Sequence, residues 1–186
     1  MIPEDIGHRF QNGGEPELEE VIDLFADKLL RYANTILCDY QDAENVVQDT
    51  FLSAFENRSS FDGHNLSGWL YKITYHKSLN QLKKRKLLWF REISINETVT
   101  MMGIAVDDRE FDEFSFQTFN ALKKLKPKER ALLHARIIEN LSYQELAYTT
   151  GDSEATLRKR YERAKNKMIT YLNQESPRKE QSHELS

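Results

Sequence analysis

LSYQELAYTTGDSEATLRKRYERAKNKM, residues Leu141 to Met168, is the stretch that most strongly determines the predicted fold. Ser142, followed three residues later by Glu145, forms a capping box in which each side chain satisfies an orphan amide at a helix start. Gly151 suits the left-handed conformation that ends a helix, and Ser153 suits the cap of a second helix. The stretch therefore predicts two short helices joined by a glycine turn.

The second of these helices has an apolar stripe and a basic outer face. The stripe consists of residues spaced by three or four positions: Leu157, Tyr161, Ala164 and Met168. At about 100° per residue, the opposite side carries Ala155, Lys159, Glu162, Arg163 and Asn166. The flanks carry Arg158, Arg160, Lys165 and Lys167. This combination is typical of a helix-turn-helix whose second helix enters a DNA major groove. The alternative is a helical hairpin with a solvated charged face, and the combined caps and glycine favour DNA binding.

The composition favours an all-α protein of the cytoplasm. The 186 residues include only seven Gly, four Pro and one Cys. Cys38 alone forms neither an internal disulfide nor a cysteine zinc cluster, and its place on an apolar stripe predicts that it is buried. The acidic N-terminus lacks the apolar core of a signal peptide. Because no apolar run approaches the ~20 residues that span a bilayer, we expect no membrane insertion.

The net charge of −4 conceals three charged blocks. Residues 1–27 carry a net charge of −7, residues 71–91 carry +7, and residues 92–113 carry −6. Blocks of opposite sign suggest partners of different kinds rather than one uniform polyanion.

Apolar periodicity predicts two small helical domains joined by an acidic linker. The predicted segments are a flexible lead over 1–16, a first helical domain over 17–91, a linker over 92–114, a helix-turn-helix domain over 115–173 and a flexible tail over 174–186.

Within the first domain, helices are predicted from Glu17 to about Leu37 and from Asp42 to about Asn57. A loop comes next, in which Phe61 is expected to be exposed, and Ser67 is expected to cap a long third helix. In the second domain, Pro127 marks the start of a helix. That helix is expected to bury Ala131, Leu132, Ala135, Ile137 and Ile138.

Two surfaces of the first domain carry candidate functions. The outer side of the Asp42 helix has polar and acidic residues, and is either an ordinary solvated face or a docking surface for a basic partner. The third helix alternates aromatic and basic residues, namely Trp69, Tyr71 and Tyr75 with Lys72, His76 and Lys77, and continues into residues 83–86. Trp69 is expected in the core, and the mixture also suits single-stranded nucleic acid.

The motifs of the first domain resemble region two of the extracytoplasmic-function sigma factors of bacterial RNA polymerase. Residues 42–51, DAENVVQDTF, are similar to the family's helix, usually DAEDLVQETF. Residues 69–73, WLYKI, match its WLYRI, and the basic run through Arg85 matches the basic segment that comes after WLYRI in the family.

The second domain resembles region four of the same family. Residues 125–127, LKP, occupy the place of the family's LP pair, and residues 141–147 with Gly151 and Thr156 match its helix-turn-helix. The similarity covers residues 18–172 in the right order and separation. It implies an all-α fold with a region-two bundle and a region-four helix-turn-helix.

The resemblance also implies binding residues in each region. The coiled coil of the polymerase β′ clamp would be bound by Asp42, Asn45, Gln48 and Asp49. A base flipped from the minus-ten element, and the promoter strands around it, would be bound by Phe61, Asp62, Gly63, His64, Asn65, Trp69, Lys72, His76, Lys83, Lys84 and Arg85. The minus-thirty-five element would be bound by Ala155, Thr156, Arg158, Lys159, Arg160, Glu162, Arg163 and Lys167, while region four would also contact the β flap.

The implied partners are core RNA polymerase, promoter DNA and an anti-sigma factor, with no catalytic residue, metal, cofactor or small-molecule substrate. One alternative is an autonomous helix-turn-helix regulator, which leaves the basic and aromatic third helix unexplained. Another is a helical adaptor that binds only protein. An enzyme finds little support, because the chain has no glycine-rich phosphate loop and its five histidines are scattered.

Overall fold

The computed structural model describes Pro3, residues 5–95 and residues 113–175, and within these ranges the fold is all-α, as predicted. The helices are α1 (Ile6–Asn12), α2 (Glu15–Leu37), α3 (Tyr40–Glu56), α4 (Leu66–Ile95), α5 (Glu113–Lys123), α6 (Pro127–Ile137), α7 (Tyr143–Thr150) and α8 (Glu154–Glu175). A 3₁₀ turn, Arg58–Ser60, comes after α3. Most of the predicted linker and tail lies outside the described residues. No described helix has the length and apolar character needed to cross a membrane.

Helices α2, α3 and α4 form the core of the first domain. Phe25 and Leu29 of α2 are buried together with Phe51 of α3, as their helical spacing predicts. The rings of Tyr32 in α2 and Tyr71 in α4 meet edge to face, with centroids 5.0 Å apart. The predicted burial of Cys38 is also confirmed: it ends α2 in a left-handed conformation with φ 52°.

The N-terminal segment differs from the predicted flexible lead. It forms α1, whose Ile6 and Phe10 side chains are 3% and 0% exposed within the core of the first domain. A helix of seven residues offers two apolar positions, which is too few for a periodicity to be recognised in the sequence. Its burial depends on packing against α2 and against the 3₁₀ turn, which is distant in the sequence.

The start of α4 also differs from the prediction. Asn65, and not Ser67, caps the helix, because its Oδ1 accepts a hydrogen bond of 2.9 Å from the Gly68 amide. Phe61, expected to be exposed, is 3% exposed and stacks on Trp69 with ring centroids 4.8 Å apart. The core aromatic of α4 is Tyr71, together with Tyr75 one turn later, whereas Trp69 is half-buried.

The two domains pack against each other. Helix α6 lies on α2 and α7 lies on α4, so that Ala131, Leu132 and Leu146 join the core of the first domain. Polar contacts accompany this packing: the Arg130 guanidinium donates to the Ile36 carbonyl at 2.5 Å, and His134 Nδ1 lies 2.8 Å from Thr35 Oγ1.

The end of α6 shows another difference. Ile137 and Ile138 were expected in the core, but each is 56% exposed. The helix meets α2 through Ala131 and Ala135, and this places its last residue on the open side.

Burial lowers the pKa of His134 despite the nearby Glu139 carboxylate, so a neutral imidazole occupies the junction with α2.

Candidate polymerase and promoter interfaces

The outer face of α3 is an exposed polar surface with one large apolar side chain. Asn45, Gln48 and Asp49 are all exposed, as the sequence predicts. Leu52, 56% exposed, lies on the same face because it comes four residues after Gln48 and three after Asp49. We name these four residues the α3 face. The sequence-based prediction leaves Leu52 unassigned to either side of the helix, although its spacing of seven residues from Asn45 already places it on this face.

Asp42, predicted with this group, belongs to a different contact. Its carboxylate accepts hydrogen bonds of 2.9 Å from both Arg85 and Gln81 of α4. Arg85 also lies 3.4 Å from Asp39, so one cation joins α4 to the start of α3. The structure thus pairs a predicted polymerase contact with a predicted DNA contact inside the protein.

The loop of residues 61–65 presents only part of its predicted surface. Phe61 points into the core and Gly63 is buried, whereas Asp62, His64 and Asn65 are exposed. The His64 amide donates to Asp62 Oδ1 at 2.9 Å, and both Gly63 (φ 81°) and Asn65 (φ 43°) have left-handed backbones. The loop is therefore a defined turn that offers hydrogen-bonding groups beside the half-buried Trp69 ring.

The basic residues of α4 are divided between the domain interface and solvent. Lys72 Nζ lies 4.3 Å from the centre of the Tyr148 ring in α7, a cation–π contact between the domains. Lys83 and Lys84 are exposed. Desolvation, together with the positive charge of Lys72, lowers the pKa of exposed His76. A neutral imidazole beside lysines is therefore available there to a base or a phosphate.

Both ends of α7 and the start of α8 agree with the sequence prediction, but α8 is 22 residues long and not the short helix expected. Ser142 Oγ accepts from the Glu145 amide at 3.2 Å, and the Glu145 carboxylate accepts from the Ser142 amide at 2.7 Å. Gly151 ends α7 with φ 76°. Ser153 Oγ then accepts from the Thr156 amide at 3.3 Å. These local contacts set the direction in which α8 leaves the turn.

Three of the four flanking cations of α8 are paired within the protein, and the fourth, Lys165, is exposed. Arg158 lies 3.4 Å from Glu154 and 4.3 Å from the centre of the Tyr143 ring. Arg160 lies 2.5 Å from Asp152, and this contact lowers the pKa of the aspartate. Lys167 Nζ lies 2.6 Å from Glu129 Oε1.

The outward line of α8 differs in this respect. Lys159, Glu162 and Arg163 are exposed and make no hydrogen bond or ion pair with another residue of the described chain. Glu162 in particular is paired neither with Arg158 nor with Asn166, which lie one turn away on the same helix. Ala155 and Thr156, near the start of the helix, are exposed on the same domain.

A basic cavity of about 800 Å³ lies between the two sets of predicted DNA contacts. Lys83 and Lys86 of α4 line one side, and Lys159 and Arg163 of α8 line the other. The compact arrangement thus brings together residues that are far apart in the sequence. It also places α4 and part of the outward line of α8 on opposite sides of one cavity.

These features define an all-α protein of two domains, the second of which contains a helix-turn-helix. The profile described as Sigma-70 region 2 matches residues 21–87, and that described as Sigma-70, region 4 matches residues 116–168. The chain belongs to the sigma-70 family, among its extracytoplasmic-function (ECF) members.

Similar proteins include the ECF RNA polymerase sigma factor EcfG of Rhodopseudomonas palustris (strain TIE-1), 30% identical over 70% of this chain and 71% of that one. ECF sigma factor SigW of Bacillus subtilis (strain 168) is 24% identical, over 87% of this chain and 92% of its own. Among solved structures, RpoE of Bartonella quintana, in complex with the anti-sigma factor NepR, has a TM-score of 0.68. It is 25% identical, and the match covers 83% of this chain and 96% of that one.

The chain is therefore an alternative sigma factor. It binds core RNA polymerase and promoter DNA and directs promoter-specific transcription initiation. Proteins of this family are not catalytic themselves; the polymerase supplies the chemistry.

Proposed function

We propose that three surfaces of the molecule divide the work of initiation. The α3 face binds the coiled coil of the β′ clamp, residues 61–65 hold a base of the minus-ten element, and α8 contacts the minus-thirty-five element. Region four contacts the β flap. Because its polymerase and promoter are cytoplasmic, the protein acts in the cytoplasm.

The observation that carries this proposal is the difference between the outward line and the flanks of α8. Lys159 and Arg163 are exposed donors, suited to the O6 and N7 acceptors of guanine in the major groove. Glu162 is an acceptor suited to cytosine N4 and repels phosphates, which favours the rejection of wrong sites. Three of the flanking cations, Arg158, Arg160 and Lys167, are held by partners, and such ordered cations suit contacts to phosphates, which set position rather than specificity.

The α3 face suits a protein partner rather than DNA. Its exposed carboxylate, Asp49, would repel phosphate, whereas a basic coiled coil would form charge-assisted hydrogen bonds with it. Leu52 adds an exposed apolar group of the kind found at the centre of interfaces. Asp42 supports this surface indirectly, by holding α4 against the start of α3.

The compact arrangement represents a state before promoter binding. Lys159 and Arg163 line a cavity whose far side is lined by α4, and a duplex needs open access to a recognition helix. The two domains therefore separate when α8 binds its element. An anti-sigma factor is the expected stabiliser of the compact state, since the similar RpoE was solved in complex with one.

Reconstituted transcription with purified core polymerase tests the assignment. We expect a specific transcript only when the chain is present, and its loss with Asp49→Lys at concentrations where the wild type saturates. Glu19→Lys, an exposed charge reversal on α2 outside the α3 face, is the matched control. If Asp49→Lys binds core polymerase as tightly as the wild type, the α3 face is not the docking surface.

A further inference from the structure

Helix α1 lies directly against the loop of residues 61–65. Gln11 Nε2 donates a hydrogen bond of 2.5 Å to the Phe61 carbonyl, where the loop leaves the core. Gly7 faces the other end of the turn so closely that a Cβ at this position would lie 2.3 Å from the Gly63 carbonyl oxygen. Between these contacts, the His8 and His64 rings meet edge to face with centroids 5.1 Å apart.

The attachment of α1 to the first domain does not depend on these loop contacts. Ile6 and Phe10 are buried in the core, and the Arg9 guanidinium forms two hydrogen bonds, of 2.6 and 2.7 Å, with Glu20 of α2. At the end of α1, Arg58 Nε donates to the Gly13 carbonyl at 3.0 Å. The helix is thus a fixed support to which the loop is fitted.

The loop conformation is matched to this support. Gly63 has φ 81°, a conformation that favours glycine, and a Cβ there would lie 2.3 Å from His8 Nδ1. Within the loop, the His64 amide donates to Asp62 Oδ1, and His64 Nδ1 lies 2.9 Å from the Asp62 carbonyl oxygen. Both residues are exposed. Contacts from α1 therefore restrict a turn whose own hydrogen bonds are solvent-accessible.

We propose that α1 is a positioning element of the minus-ten site, and that Gln11 and Gly7 hold residues 61–65 in the conformation that receives a flipped base. This inference rests on the proposed role of the loop. Extruding a base costs a few kcal/mol, and the pocket must offset that cost. A loop already ordered by α1 loses less conformational entropy on binding, so more of the contact energy remains for selecting the correct base.

Gln11→Glu is the sharpest variant, because it keeps the side-chain size and removes the donor to the Phe61 carbonyl. With holoenzyme, we expect the preference for the native promoter over single-base variants of its minus-ten element to fall about three- to tenfold in permanganate footprints of strand opening. Core polymerase affinity and binding to a minus-thirty-five duplex should not change. Asn12→Ala is the matched control, since its side chain bonds only the His8 carbonyl within α1 among the described residues.

Two further variants separate this inference from the proposed role of the loop. Gly7→Ala should also lower base preference, because its Cβ would clash with the Gly63 carbonyl oxygen. If the Gly7→Ala protein fails to fold, Gln11→Glu alone decides the question. If His64→Ala lowers base preference but both α1 variants behave as wild type, the positioning role is wrong and the loop assignment stands. If none of the three changes base preference, the loop assignment itself fails. An equal loss on all promoter variants, or a parallel loss of core affinity, would show that α1 serves only stability.

Discussion

Replacing Arg130 by methionine should weaken the packing between the two domains. The Arg130 guanidinium, on α6, donates to the Ile36 carbonyl in the last turn of α2, at 2.5 Å, and to the Leu125 carbonyl at 3.3 Å. The last turn of α2 contains no basic residue of its own. Arg130 therefore supplies both a donor and a positive charge to the negative end of a helix in the other domain.

The size of the effect depends on two opposing contributions. A buried hydrogen bond with a charged partner contributes about 1.5–3 kcal/mol, and its loss leaves the Ile36 carbonyl without this donor. Burial lowers the pKa of Arg130, which shows that the charged form is desolvated, and methionine avoids that cost while retaining most of the volume. We expect a net loss of about 1–2 kcal/mol, or about 5- to 30-fold in the equilibrium between packed and separated domains.

Energy transfer between dyes placed on the two domains measures this equilibrium, and small-angle scattering provides an independent check. Arg136→Met is the matched control, because Arg136 contacts the Leu141 carbonyl and the Tyr143 ring within its own domain. Arg130→Met should populate the separated form whereas Arg136→Met should not. If the distance distribution of Arg130→Met equals that of the wild type, the Arg130 contact does not hold the domains together.

Three further predictions concern the binding surfaces and the stability of the second domain. Asp49→Lys should weaken core binding at least tenfold, about 1.4 kcal/mol, without lowering the melting temperature; titration against fluorescent core polymerase measures this. Arg163→Ala should cost about 1–3 kcal/mol at one base pair of the minus-thirty-five element, whereas Lys165→Ala should weaken all sequences alike; an equal loss for both variants in single-base titrations would contradict the assignment. Burial by itself would raise the pKa of Glu129, but the hydrogen bond from Lys167 and that from a backbone amide outweigh it and lower the pKa. Its contribution to stability should therefore be complete above the ordinary value of 4.5 and be lost as the pH falls through the lower folded-state value; in acid denaturation, Glu129→Gln should remove that part of the pH dependence.

The backbone of the 61–65 loop limits how the loop can be tested by substitution. Replacing Gly63, His64 and Asn65 together by alanine would test the loop poorly, because Gly63 and Asn65 have left-handed backbones and Asn65 caps α4. His64→Ala leaves both features in place. Because Lys167 is paired with Glu129, a lower salt dependence after Lys167→Ala would not by itself indicate a lost phosphate contact.

The amino-acid sequence by itself determined the features that depend on near neighbours in the chain. The capping box at Ser142, the left-handed Gly151 and the cap at Ser153 are each formed by residues a few positions apart. The apolar faces of α2 and α3 result from helical period in the same way, and so does the exposed line of α8. A sequence pattern is sufficient in these cases because the interacting groups lie within one or two helical turns.

Only the tertiary structure decided the contacts between residues distant in the chain. Asp42 and Arg85, each plausible as a partner-binding residue, neutralise each other across 43 positions. Phe61 and Trp69 stack on each other, and the Phe61 carbonyl accepts a hydrogen bond from Gln11, 50 positions earlier in the chain. The packing of α6 on α2 depends on Arg130 reaching the Ile36 carbonyl, 94 positions away. The helix propensities of single residues carry no information about such pairs. The interaction energy of two distant side chains exists only after the folded backbone has brought them together.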